Sequence, residues 1–270
     1  MTSIAATDSS AYKTPPAMAS PMSTTIRGTI RGMAARANPA FAVAAVAVPL
    51  VALLYAVTMG SREVHTYVHV MAGVLWTGTD VFMALVLGPV LGGLDVDERA
   101  SVFQRFTPKM TFLMPTLALV TIAGGITLVP RVSTLSVTDP WLALFTFCST
   151  VPALLLIGWQ FDAWTDWRWL AVFGVALVGS GAWLTLSLPS FAMTSHLIAV
   201  ALGIVTVLSV MGFGVLLPGE VRMYREMISA DPDSQVIGDI GLRNAKLSGI
   251  QGAFQLAIVV VMVYMRWGYY

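Results

Sequence analysis

Val64-His65-Thr-Tyr-Val-His69-Val-Met-Ala-Gly73-Val-Leu-Trp76-Thr-Gly78-Thr-Asp80-Val-Phe-Met83-Ala-Leu-Val-Leu87-Gly88-Pro89-Val-Leu91 runs for 28 residues with one formally charged side chain, Asp80. As a helix it would be about 42 Å long, more than the roughly 30 Å of hydrocarbon in a bilayer. The stretch is therefore predicted to cross a membrane. At about 100° per residue, with His65 at 0°, His69 falls at about 40°, Trp76 at about 20°, Asp80 at about 60° and Met83 at about 0°. Gly73 is expected on roughly the opposite side. Two imidazoles, an indole and a carboxylate thus share one helix face. Ionisable groups at membrane depth are costly and usually face a bundle interior, a ligand or an ion path.

The rest of the chain fits this beginning. It is 57% hydrophobic and 11% charged, against roughly 25% charged in a soluble domain. Its apolar residues come in long blocks parted by short polar segments such as Gly60-Ser61-Arg62, Thr138-Asp139-Pro140 and Leu188-Pro189-Ser190. The fold class is all-α, a polytopic membrane bundle of about seven transmembrane helices. The spans are expected at roughly 40–59, 64–91, 110–129, 141–161, 169–188, 192–217 and 247–265, within a transmembrane domain of residues 39–270. Trp159, Trp164, Trp167 and Trp169 crowd the turn between the fourth and fifth, as aromatics do at a membrane interface. A net charge of +1 gives no electrostatic case for nucleic acid, and the lone Cys148 excludes a disulfide or cysteine-cluster site within one chain.

Seven spans place twelve of the fifteen lysines and arginines on one side, among them Lys13, Arg36, Arg99, Lys109, Arg225 and Lys246. Arg62, Arg131 and Arg266 fall on the other. The positive-inside rule makes the N-terminus cytoplasmic and the C-terminus external, in what is expected to be a plasma membrane. Residues 1–38, rich in Ser, Thr, Ala and Pro with Asp8 the lone acid, read as a disordered cytoplasmic tail. Arg-bearing, acid-poor Thr24 to Ala37 would also suit a transit peptide, and Met18, Met22 or Met33 could be the true start.

An internal echo supports a parallel repeat. His69 leads to Gly88-Pro89, a charged loop follows, and Lys109 is expected to open the next helix. His196 leads to Leu217-Pro218-Gly219, a longer charged loop follows, and Lys246 is expected to open the last. Two units of the same orientation, spans one to three and five to seven, would be related by an axis along the membrane normal. His65, His69 and His196 would then lie in one layer near the outer face.

Three uses of that layer are open. Imidazoles of His69 and His196 could hold a b-type haem, with Trp76 against its edge. His65, His69 and His196, with thioethers of Met71 or Met193, could bind copper for transport or resistance. Or the histidines could be structural, in a membrane subunit without cofactor. His69-x6-Trp76-x-Gly78, followed by Leu87-Gly88-Pro89, resembles the CopD-type copper-resistance membrane proteins. It is also similar to related haem-binding membrane proteins, including the HemJ type of protoporphyrinogen oxidase. The resemblance spans roughly residues 63–130, with a fainter trace over 192–266. It implies His69 as a haem b ligand, Lys109 as an assisting lysine, and electron exchange with a quinone or an external partner.

Other polar groups have plainer expectations. Asp80 is expected to pair with Arg105, Lys109 or Lys246 near the cytoplasmic surface, or else to serve as a proton-transfer group, and Gln251 with Gln255 to hydrogen-bond between helices. Gly124 and Gly125 are expected to permit close helix packing. Lys246, beside Arg243 and Asn244 at a span's beginning, is placed for a snorkelling side chain rather than a retinal Schiff base.

Overall fold

The computed structural model describes residues 25–132, 139–192 and 196–267. The residues Lys13, Met18, Met22, Thr24, Thr138 and Met193, for which the sequence carries expectations, lie outside the described residues, as does the side chain of Arg266. Among the described residues there is helix and no strand. Helix α1 is Ile26–Ala37, α2 Pro39–Thr58 and α3 Arg62–Phe82; α4 is Gly88–Gly92, α5 Val96–Val132, α6 Asp139–Gln160 and α7 Trp167–Ser187. The chain closes with α8 His196–Met211, α9 Leu217–Met227 and α10 Ser234–Trp267. Seven helical stretches are long and apolar enough to cross a membrane: Pro39–Thr58, Arg62–Gly92, Val96–Arg131, Asp139–Gln160, Trp167–Ser190, His196–Met227 and Ser234–Met265. The protein is an all-α polytopic helical bundle.

Residues 26–37, expected to be disordered tail, form a capped helix. Thr25 Oγ1 accepts from Gly28 N at 3.2 Å, and Thr29, Met33 and Ala37, four residues apart, are buried along one face. Arg36 Nη2 donates to Met227 O at 3.4 Å, tying α1 to the end of α9. Composition concealed this helix because its apolar face is narrow. Asn38 then takes a positive φ of 77° and caps Ala40 N at 3.0 Å, with Pro39 beginning α2, so the chain turns within one residue.

The helices also do not end where charge and proline suggested. Between α3 and α4, residues Met83–Leu87 form a π-helical turn, and Gly212–Leu216 do the same between α8 and α9. Each turn begins six residues before a proline, Pro89 or Pro218. Proline has no N–H for the carbonyl four residues back, and a π-turn lets the helix continue around that gap. Gly88 N bonds to Met83 O, and Leu217 N to Gly212 O. The carbonyl of Gly214, four before Pro218, is satisfied by Gln160 Nε2 of α6 at 2.7 Å.

Lys109 and Lys246 do not open their helices. They lie well inside α5 and α10, which start at Val96 and Ser234. The acids Asp97 and Glu98 sit in the first turn of α5, where the helix dipole favours them, so a charged segment taken for loop is helix. These extensions, with α4 and α9, enclose an apolar cluster of Leu91, Phe103, Met223, Met227 and Ile237. Arg99 holds it, donating to Leu91 O and Leu94 O, both at 2.9 Å. At the opposite end Arg131 caps α2 through Ala56 O, Val57 O at 2.6 Å and Gly60 O. The main core lies between. Ala72, Trp76, Leu117, Ala118, Val120 and Leu208 pack where α3, α5 and α8 converge, with Phe254 and Ile258 of α10 against them. Helix α2 packs on α3 and α5, whereas α7 packs chiefly on α6.

Candidate functional site

The face read from the sequence is an interior face. His65 is 0% exposed, Trp76 3%, Asp80 1% and Met83 8%, and His69 is half-buried. Gly73, expected opposite, lies against α5: a Cβ added there would meet Thr121 Cγ2 at 3.3 Å. Eight residues past His65 is only about 80° around the helix, which keeps Gly73 on the packed half.

Both first-half histidines seat on α5, in opposite tautomers. His69 Nδ1 lies 2.8 Å from Thr121 O. A carbonyl only accepts, so Nδ1 carries the proton and Nε2 presents a lone pair. The ring rests on Gly124-Gly125, since a Cβ added at Gly125 would fall 2.9 Å from His69 Cε1. That glycine pair, expected to serve helix packing in general, makes room for this imidazole. His65 Nε2 lies 3.1 Å from Thr127 Oγ1, whose own proton goes to Ala123 O at 2.7 Å. His65 therefore donates from Nε2, and its Nδ1 lone pair is buried without a partner.

The third histidine does not join them. His196 is exposed at the first position of α8. The π-turns set the register between halves, with Pro218 lying 129 residues after Pro89, so His196 corresponds to the exposed Tyr67 and not to His69. Two residues is about 200° around a helix, which turns His196 away from the face that His69 uses. Among the described residues no group of three or more His, Cys, Asp or Glu is placed to hold a metal. His65, His69 and His196 do not form such a group. Lys109 donates from Nζ to Arg105 O at 3.2 Å, and it sits twelve residues, about 18 Å, along α5 from Thr121. It does not reach His69. Lys246 is exposed.

Farther along α3, the partners expected for Asp80 were cations, yet amides take their place. Gln251 Nε2 and Gln255 Nε2 both donate to Asp80 Oδ2, at 3.0 and 2.8 Å. The interhelical bonding expected of the two glutamines is thus directed at one carboxylate. Asp80 lines a cavity of about 70 Å³ among α3, α5, α9 and α10, with Glu220, Asn244, Ser248, Gln251 and Thr107. Asn244 Nδ2 donates to Glu220 Oε1 at 3.2 Å. Gly219 admits that amide, because an added Cβ would stand 2.8 Å from it.

Glu220 carries no mark of a site residue in the sequence, because it follows Pro218 by two residues inside a stretch whose charge suggests a loop. Asn244, Ser248, Gln251 and Gln255 recur at intervals of four, three and four, a helical stripe that the sequence does display.

Comparison with protein-family models, with curated proteins and with solved structures finds no match.

Proposed function

We propose that this is a multi-pass membrane redox protein that binds haem b through His69. The observation behind it is the His69 Nδ1 bond to Thr121 O on the Gly124-Gly125 seat. A backbone carbonyl that fixes the protonated nitrogen, orients the ring and raises the basicity of the other nitrogen is the usual support for an imidazole that ligates iron. The chain's own residues fit one such ligand. They do not fit the His69 and His196 pair, and no step is assigned to His196. When bound, haem supplies one-electron chemistry. The protein's part is to hold Nε2 in place and to keep water from His69 with the apolar core of Val68, Ala72 and Leu53.

Copper transport has less support, since His65 is sealed against α5 and the three histidines do not converge. The charge distribution supports an orientation with the α1, α4–α5 and α9–α10 end cytoplasmic, and the proposal places the protein in a plasma membrane with a quinone or an external protein as electron partner.

Optical spectroscopy with metal analysis of one purified sample tests the proposal. We expect haem iron near one per chain and visible bands that sharpen on reduction. Stoichiometric copper without haem, or a colourless metal-free protein after expression with ample haem, would overturn it.

A further inference from the structure

Three buried oxygens of residues lining the interior cavity have no hydrogen-bond partner, Glu220 Oε2, Asn244 Oδ1 and Gln251 Oε1, and neither has Oε1 of Gln255, whose amide donates to the lining Asp80. Asn244 is 5% exposed and Gln251 2%, and both line the cavity. Orphaned buried acceptors are rare in folded proteins, because each costs the desolvation of a polar group. All four are acceptors, so they call for protons or for the hydrogens of water. A water needs about 10–15 Å³ of such a cavity, and the volume here is about 70 Å³. The chamber accommodates a short water chain.

The chamber also holds two carboxyl groups at different depths. The stripe from Asn244 to Gln255 rises about 16 Å along α10. Glu220 meets it at Asn244, and Asp80 meets it at Gln251 and Gln255. Asp80 and Glu220 are the ionisable residues among those lining the chamber. On α10, Arg243 lies beside Gly219, its Nη2 3.2 Å from a Cβ added there. On the other packed elements, Arg99 is spent on Leu91 O and Leu94 O, Lys109 on Arg105 O and Arg36 on Met227 O; Lys246 points outward. Beyond Gln255 the stripe gives way to Ile258, which packs with Trp76, Ala72 and Leu208 in the apolar core. The polar run therefore stops short of the histidines.

We propose that this chamber is a proton-binding site, loaded through water from the α4–α5 and α9–α10 end, with Glu220 the first carboxyl to take the proton and Asp80 the deeper one. The proton arrives from bulk water and returns to it, and no redox partner is required. The site is independent of haem at His69.

Infrared difference spectra of the full chain in lipid nanodiscs, recorded between acid and alkaline pH, test this. The signal is the carbonyl stretch of a protonated carboxylic acid. We expect two components that shift in heavy water: Glu220→Gln removes one and Asp80→Asn the other. If Asp80→Asn fails to fold, Asp80→Glu should keep its component at an altered frequency. A spectrum with no component assignable to Glu220 or Asp80, or components that do not exchange in heavy water, would overturn the proposal. So would components abolished by sodium at fixed pH, which would make the chamber a metal-cation site.

Discussion

The two halves of the bundle share a scaffold but not its contents. In each, a membrane helix meets a π-turn beginning six residues before a proline, continues past it, and is followed by a long helix, α5 or α10. In the first half the face before the π-turn carries His65, His69, Trp76 and Asp80. In the second, the position equivalent to Asp80 is Ser209, whose hydroxyl donates to Val205 O of its own helix at 2.8 Å. The outer helices differ too, since α2 packs on its own half and α7 leans on α6. A backbone irregularity recurs at the same distance before a proline in both halves, whereas side chains on that backbone are free to diverge. The resemblance between halves therefore identifies a scaffold, and function follows from where they differ.

The largest difference in stability should come from the equivalent pair Asp80 and Ser209. Asp80→Leu leaves the Gln251 and Gln255 amides without their acceptor, at about 1–3 kcal/mol for each buried group. Ser209→Ala removes a bond internal to one helix and should cost less than about 1 kcal/mol. Thermal unfolding of both variants in detergent measures the contrast, and equal losses would break the asymmetry.

A smaller effect separates glycines of the two halves. Gly125→Ala drives a methyl into the His69 ring and should cost about 1–3 kcal/mol, with loss of bound haem. Gly203 of α8 has open space around it, so Gly203→Ala should be neutral or stabilise by up to about 1 kcal/mol. Retention of haem in Gly125→Ala would show that the seat under His69 is dispensable.

Gln160→Leu should have the smallest effect. It deprives Gly214 O of its donor, but it also removes the unpartnered Oε1 of Gln160. A net loss of about 1 kcal/mol is expected, and less when Pro218→Ala restores a backbone N–H nearby. An undiminished loss in the double variant would mean that the proline does not create the need for Gln160.

Much of the fold was legible because a bilayer demands long apolar helices, and their number needed only composition and charge. The ends were not legible. Hydropathy falls at Leu217 and at Leu91, yet helix continues to Met227 in one case and resumes at Val96 in the other. An amphipathic helix outside the hydrocarbon looks like a polar loop until its buried stripe is counted. The face of α3 was readable from a 100° turn per residue. The partners on that face were not, because Thr121 contributes a backbone carbonyl and Gly125 an absent side chain, neither of which leaves a chemical mark in sequence. His196 misled because order along the chain resembled the first half while its register differed by two residues. The offset stands in the sequence, with His69 20 residues before Pro89 and His196 22 before Pro218, and the π-turns mark those two prolines as equivalent points.

Haem content of His69→Ala and His196→Ala, purified in parallel and measured by the reduced visible spectrum, tests the division between halves most directly. His69→Ala is expected to lose its haem, and His196→Ala to keep a spectrum indistinguishable from that of the unaltered protein. Equal loss of haem in both variants would contradict it.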